Sequence, residues 1–154
     1  MVEKFIKEEI DYFKPMLKRQ REATQAMKEV WRTETVAQRI ERVSLETYDL
    51  CEGKVLQGPF QGLQLNRDTW WGESDLGAQC LGLYEKEILD LISAQGPFHT
   101  FLDIGAADGY YAVGLLHAKI AKKAICFEIS EKGQRAIKEN WIMNEGPGEL
   151  EIYG

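Results

Sequence analysis

Between Phe98 and Glu128 the chain reads FHTFLDIGAADGYYAVGLLHAKIAKKAICFE. An acid, Asp103, precedes the small-residue run Gly105, Ala106, Ala107, Asp108 and Gly109, and a further acid, Glu128, closes the next apolar run. Small residues let a backbone approach a ligand closely, and an acid at the tip of the following strand can accept both hydroxyls of a ribose. The chemistry this spacing points to is the binding of a nucleoside-containing cofactor. The elements that must position it are a strand carrying Phe101, Leu102 and Ile104, a tight loop, a helix from Tyr110 to Ile120, and a second strand from Ala124 to Phe127. Together they make a βαβ unit.

The loop lacks the dinucleotide fingerprint G-x-G-x-x-G, because Ala107 and Tyr110 stand where the later glycines belong. A diphosphate needs several free amides at a helix N-terminus and tolerates nearby acid poorly. Asp103 and Asp108 flank the turn, which suits a cofactor bearing a sulfonium and an amino group better than a pyrophosphate. The plainer alternative is a strand-to-helix turn in which Asp108 serves as the N-cap.

DIGAADG resembles the first motif of class I S-adenosylmethionine-dependent methyltransferases: an acid, any residue, Gly, three variable residues, Gly. With Ala after the first Gly and Gly-Tyr-Tyr following, it is most similar to the FkbM-like branch. The later stretch NRDTWWGESDLGAQCLGLYEKEILDLI is similar to the same branch in its aromatic-Gly patch and its Leu-Gly-x-Tyr-Glu ahead of a helix. The resemblance implies S-adenosyl-L-methionine as cofactor, with Asp103 near its methionine end, the Gly105 to Gly109 loop and Tyr110 beneath it, and Glu128 on its ribose. It also implies Ile129 as a neighbour of the adenine, with a core isoleucine as the alternative, and a start of the preceding helix, Tyr84-Glu85, close to the cofactor. Glu85 then binds the cofactor, holds the loop, or simply rests on its own helix dipole.

The chain has 154 residues and a formal net charge of -6. That length suits one domain with a real core. Residues 1–50 carry ten basic and ten acidic side chains and residues 51–154 nine and fifteen, so the cofactor half has no electrostatic footprint for nucleic acid. Three cysteines, Cys51, Cys80 and Cys126, are odd in number and widely spaced, and Cys126 sits within a strand as a small core residue. This is the usage of a reducing compartment. No apolar run approaches the roughly 20 residues of a membrane span and no signal peptide opens the chain, so the expectation is a cytoplasmic protein without a membrane partner.

In chain order, residues 2–14 place Phe5, Ile6, Ile10 and Phe13 at helical spacing, and Pro15 either interrupts that helix or opens the next, which carries Leu17, Ala23, Met27, Val30 and Trp31. Lys14, Lys18, Arg19 and Arg21 form either a solvated face or a contact for an anionic substrate. Thr33 or Thr35 can cap a third helix with Val36, Ile40 and Val43 inward, although the alternation of Val43, Leu45 and Thr47 also suits a strand. From Gly53 to Leu65 glycines and Pro59 punctuate Val55, Phe60, Leu63 and Leu65, predicting two short strands joined by a turn. Trp70 and Trp71 either wall a pocket or pin a loop against a small core. A helix over Tyr84 to Ile92, stopped by Gly96 and Pro97, precedes the first strand. After Glu128, Ser130 caps a helix with Ala136, Ile137, Trp141 and Ile142 inward, and Glu149 to Tyr153 begin a third strand.

The expected fold class is α/β: an N-terminal helical segment over 1–52, then a partial Rossmann-like βαβαβ unit of the class I methyltransferase kind over 53–154. Members of the resembled family have seven strands in the order 3-2-1-4-5-7-6, and only the first three are present in this chain. The expectation is therefore the cofactor-binding N-terminal part of an O-methyltransferase acting on a small molecule or sugar. No catalytic base can be named, and neither His99 nor His117 has a partner at metal-ligand or acid/base spacing. The alternative is a non-catalytic cofactor-binding or dimerisation module, and a nicotinamide-binding domain is a third reading. The first strand, central in a full sheet, would here be an edge, which predicts a homo-oligomer that continues the sheet.

Overall fold

Three parallel strands, β1 (Phe98–Ile104), β2 (Ala121–Phe127) and β3 (Glu149–Tyr153), lie in the order β1-β2-β3 in this computed structural model, which describes residues 2–154 and the side chains of 12–30 and 33–154. Asp103 pairs with Cys126 and Ile104 with Phe127, while Cys126 pairs with Ile152 and Phe127 with Tyr153. The chain is thus mixed α/β, with β1 and β3 both at sheet edges.

Parallel strands need a crossover, and helices α5 (Tyr110–His117) and α6 (Glu131–Met143) supply the two. α5 packs on β2 and β1 and is buried along nearly its whole length, because YYAVGLLH has no polar face until His117. It ends before Ile120, earlier than the sequence suggests: Lys119 takes a left-handed φ of 58°, and β2 begins at Ala121. Alternation along the strands sends Phe101 and Asp103 to one face with the fully buried Ala124 and Cys126. The opposite face carries Leu102, Ile104, Ile125 and Phe127, and Ile104 is 78% exposed.

Gly114 of α5 is required by packing, since a Cβ there would lie 2.4 Å from two carbons of the Phe60 ring. We expect Gly114→Ala to destabilise the protein by about 1–3 kcal/mol through overpacking, in spite of the roughly 1 kcal/mol that alanine gains in a helix. A urea midpoint equal to that of the parent would show that the ring moves aside.

The remaining helices are α1 (Val2–Thr33), α2 (Val36–Leu50), α3 (Leu76–Cys80) and α4 (Lys86–Gln95). α1 runs through Pro15, so the proline neither ends one helix nor opens another. The side chains of Phe5, Ile6, Ile10 and Trp31, named above as apolar helix positions, lie outside the described residues. Val43, Leu45 and Thr47 are helical, in α2, which removes the strand alternative. The chain forms two compact units, Met1–Arg39 and Ile40–Gly154. The later residues of α2 belong with the sheet: Ser44 is buried and accepts the Gly77 N–H at 2.8 Å, and the Tyr48 hydroxyl donates to the Leu65 carbonyl at 2.7 Å.

The two strands expected over 53–65 do not form. A single antiparallel bridge, Lys54 with Gln64, stands in their place, because glycines at 53, 58 and 62 take left-handed φ and fold the segment into turns. Its apolar residues still reach the core, with Val55, Phe60 and Leu63 each 1% exposed. Cys51, Cys80 and Cys126 are all buried free thiols. Among the described residues no helix is long and apolar enough to cross a membrane.

Candidate functional site

The loop between β1 and α5 is built almost entirely from internal hydrogen bonds. The N–H groups of Gly105 and Ala106 both donate to the Phe127 carbonyl, at 2.8 and 3.1 Å, and Gly109 N–H donates to the Ala106 carbonyl at 2.7 Å. The Ala107 N–H donates to Oε2 of Glu128 at 2.9 Å, which holds Ala107 in a left-handed conformation at φ 51°. The Asp108 carboxylate accepts the Tyr110 N–H, although the helix N-cap by position is Gly109, not Asp108. With these amides committed inside the protein, the turn offers little to a diphosphate.

Glu128 is 8% exposed, and its second oxygen, Oε1, accepts the Ser130 N–H at 2.8 Å. Its carboxylate joins the tip of β2, the start of α6 and the loop. Gly133 makes that junction possible: a Cβ there would lie 2.6 Å from Glu128 Cγ and 2.8 Å from the Ala107 carbonyl oxygen.

Above the loop lies a cavity of about 300 Å³. Asp103, Gly105, Ala106, Ala107 and Asp108 form its floor, and Tyr110 and Tyr111 form one side. The start of the α4 region supplies Tyr84 and Glu85, the segment before α3 supplies Thr69, Trp71 and Asp75, and α3 itself supplies Gln79. Four carboxylates, those of Asp75, Glu85, Asp103 and Asp108, line this space, and no Lys, Arg or His is among the lining residues. Burial raises the pKa of Asp103, partly offset by the Ala112 N–H, with the Asp108 charge adding to the rise. Burial raises Asp108 as well, against hydrogen bonds from the Thr69 hydroxyl and the Tyr110 N–H. Acids held in such a space favour a cationic ligand, which would relieve both their burial and their mutual repulsion.

Gly105 leaves room for that ligand. It has φ 77°, and a Cβ on it would meet nothing within 4 Å, so the opening above the floor is empty space and not packed core. Across the mouth, the Thr69 hydroxyl donates to Asp108 Oδ2 at 2.9 Å and accepts the Trp71 N–H at 3.2 Å, strapping the tryptophan segment to the loop. Trp71 is 68% exposed and borders the cavity, while Trp70 borders a second one with Lys132 and Arg135. Neither closes a small core. The Tyr111 hydroxyl donates to Glu85 Oε2, so Glu85 ties α4 to α5 as well as facing the cavity.

Of the residues expected at a site, Asp103, Gly105, Ala106, Ala107, Asp108, Tyr110 and Glu85 meet around one cavity, and Gly109 turns the chain into α5 beneath it. Glu128 and Ile129 are not on its wall: Glu128 is engaged behind the loop, and Ile129 is 94% exposed, which removes the core alternative for it. The helix expected from Tyr84 begins at Lys86, after Glu85 adopts φ 44°. Sequence reasoning did not find Thr69, Asp75 or Gln79. The usable signal was Asp75 and Gln79 four residues apart in SDLGAQC, one polar pair flanking small and apolar residues. No group of three or more metal-ligating side chains occurs among the described residues. Comparison with family models, curated proteins and solved structures finds no match to the chain.

Proposed function

We propose that the cavity binds S-adenosyl-L-methionine and that the chain is the cofactor-binding part of a class I, FkbM-like methyltransferase that transfers a methyl group to a hydroxyl of a small molecule or sugar. The observation that carries this reading is the four-carboxylate cavity without a basic side chain, set on a small-residue turn whose amides are already used. Such a site suits a ligand with positive charge and little phosphate. The parallel order β1-β2-β3 with helical crossovers supports a reading as part of a Rossmann-like sheet, as does the place of the cavity at the carboxyl end of β1.

The donor set fits the cofactor. Asp103, Asp108, Asp75 and Glu85 would face its ammonium and sulfonium, and Gly105 leaves the floor open to it. When bound, the cofactor supplies an electrophilic methyl group. The chain's own contribution is alignment and charge: a fixed turn, an acidic wall and an aromatic flap at Trp71. In this reading Glu128 shapes the turn, its carboxylate held behind the loop by the Ala107 and Ser130 N–H groups.

Isothermal titration with S-adenosylhomocysteine and with NADH tests the proposal. We expect roughly micromolar affinity for the former, about 8 kcal/mol, and no measurable heat with the latter. Tight NADH binding, or no binding of either, would overturn it.

A second reading, an assembly module without turnover, is favoured by the open side of the sheet, where Leu102, Ile104 and Phe127 are exposed at or beside the unpaired edge of β1. Parallel sheets are normally covered on both faces. Two copies pairing through β1 would shield that edge, and light scattering is expected to show twice the monomer mass. A monomer at high concentration with ordinary solubility would count against this reading.

A further inference from the structure

Gln79 stands out on the cavity wall. It is 8% exposed and lies on α3 among the buried Leu76, Gly77 and Cys80. Its carboxamide has no hydrogen-bond partner among the described residues, and its polar atoms are not among those sealed from solvent. A carboxamide can donate twice and accept twice. An unpaired amide that opens onto a cavity is therefore placed for something that enters it.

The neighbouring groups say what that is. The four carboxylates can only accept, so they serve a ligand's cationic groups. Donors for an anionic group are few. The Thr69 hydroxyl is committed to Asp108 and the Tyr111 hydroxyl to Glu85. The Tyr110 hydroxyl is sealed behind the wall without a partner, and Trp71 is mostly exposed at the mouth. Two donors on the wall are left without a protein partner among the described residues, the half-buried Tyr84 hydroxyl and the Gln79 carboxamide, and Gln79 is the buried one.

We infer that Gln79 is a specificity residue for the carboxylate of an α-amino-acid tail, so that the cavity reads a zwitterion: the acids take the ammonium and the Gln79 Nε2 takes the carboxylate. This rests on the methyl-donor reading and extends it to a residue outside the loop motif. A neutral amide suits the task here, because a lysine or arginine in the same place would pair with the acids and cancel the preference for a cation.

Three nucleosides test it by calorimetry on the whole chain: S-adenosylhomocysteine, which has both tail groups; 5′-deoxy-5′-(3-aminopropylthio)adenosine, which keeps the ammonium only; and 5′-methylthioadenosine, which has neither. The parent protein is expected to bind the first about tenfold more tightly than the second, the size of one hydrogen bond to a charged group. Gln79→Leu should lose that tenfold on the first and nothing on the second. Gln79→Glu, which keeps the shape and replaces the donor with a charge, should reverse the preference and guards against a packing defect in the leucine variant. Equal affinity of the parent for the first two nucleosides, or equal losses on both in each variant, would overturn the inference with the methyl-donor reading intact. Failure of all three to bind the parent would overturn both.

Discussion

Asp103→Asn is expected to lower affinity for a cationic adenosyl ligand by about 10- to 100-fold while leaving the fold at least as stable at neutral pH. Sinefungin, whose amine replaces the sulfonium methyl, provides a chemically stable cation for the titration. The two effects separate because the Asp103 carboxyl is raised by burial: its charge is costly to the empty protein and useful to a cation. For an acid whose folded pKa lies above its unfolded value, the favourable contribution is complete below the unfolded value, about 3.9, and is lost as pH rises through the folded one. Asparagine removes that loss, so the pH dependence of stability should flatten between about pH 4 and the raised folded value. Cation binding runs the other way. In the parent it should weaken as pH falls, beginning above the ordinary carboxylate range, because Asp103 and Asp108 both protonate early. A variant that binds sinefungin as well as the parent at neutral pH would remove Asp103 from the site.

Gly133→Ala should cost about 2–4 kcal/mol and most of the ligand affinity. The added carbon would meet Glu128 Cγ at 2.6 Å and the Ala107 carbonyl at 2.8 Å, so neither the acid nor the loop can stay in place. Once Glu128 moves, the Ala107 N–H loses its acceptor and the left-handed backbone at Ala107 loses what holds it. Gly105→Ala is the control, since its Cβ meets nothing and its stability cost is only the left-handed φ, about 1 kcal/mol. The denaturant midpoint of Gly133→Ala should therefore fall well below that of Gly105→Ala. Equal midpoints would show that the junction at Glu128 yields without penalty.

The strand, loop, helix and strand around Asp103 were legible because each is a local pattern: an apolar run, a run of small residues, then an unbroken apolar helix. The limits that failed were set by interactions the pattern does not contain. Gly53 to Leu65 had the apolar spacing of a hairpin, but left-handed glycines turned it into loops that deliver Phe60 to Gly114. Trp70 and Trp71 could wall a pocket or pin a small core, and the Thr69 bond to Asp108 decides for the first, holding the segment over the cavity mouth with both rings partly in solvent. Glu128 was read as a ligand group from its place at a strand tip. What that place does not encode is that two backbone amides lie within reach of its carboxylate. Gln79 was missed for the opposite reason, since a glutamine four residues after Asp75 marks a polar pair on a five-residue helix and not an unsatisfied amide.

The three buried thiols give the protein a built-in gauge of its own opening. Burial pushes Cys80 and Cys126 up to about 12, so at neutral pH both are protonated as well as shielded. Iodoacetamide should leave them untouched until the chain opens and then alkylate them, so that the mass added per unit time reports the open population. Ligands can thereby be ranked by how far they lower that rate, without a dye or an engineered label.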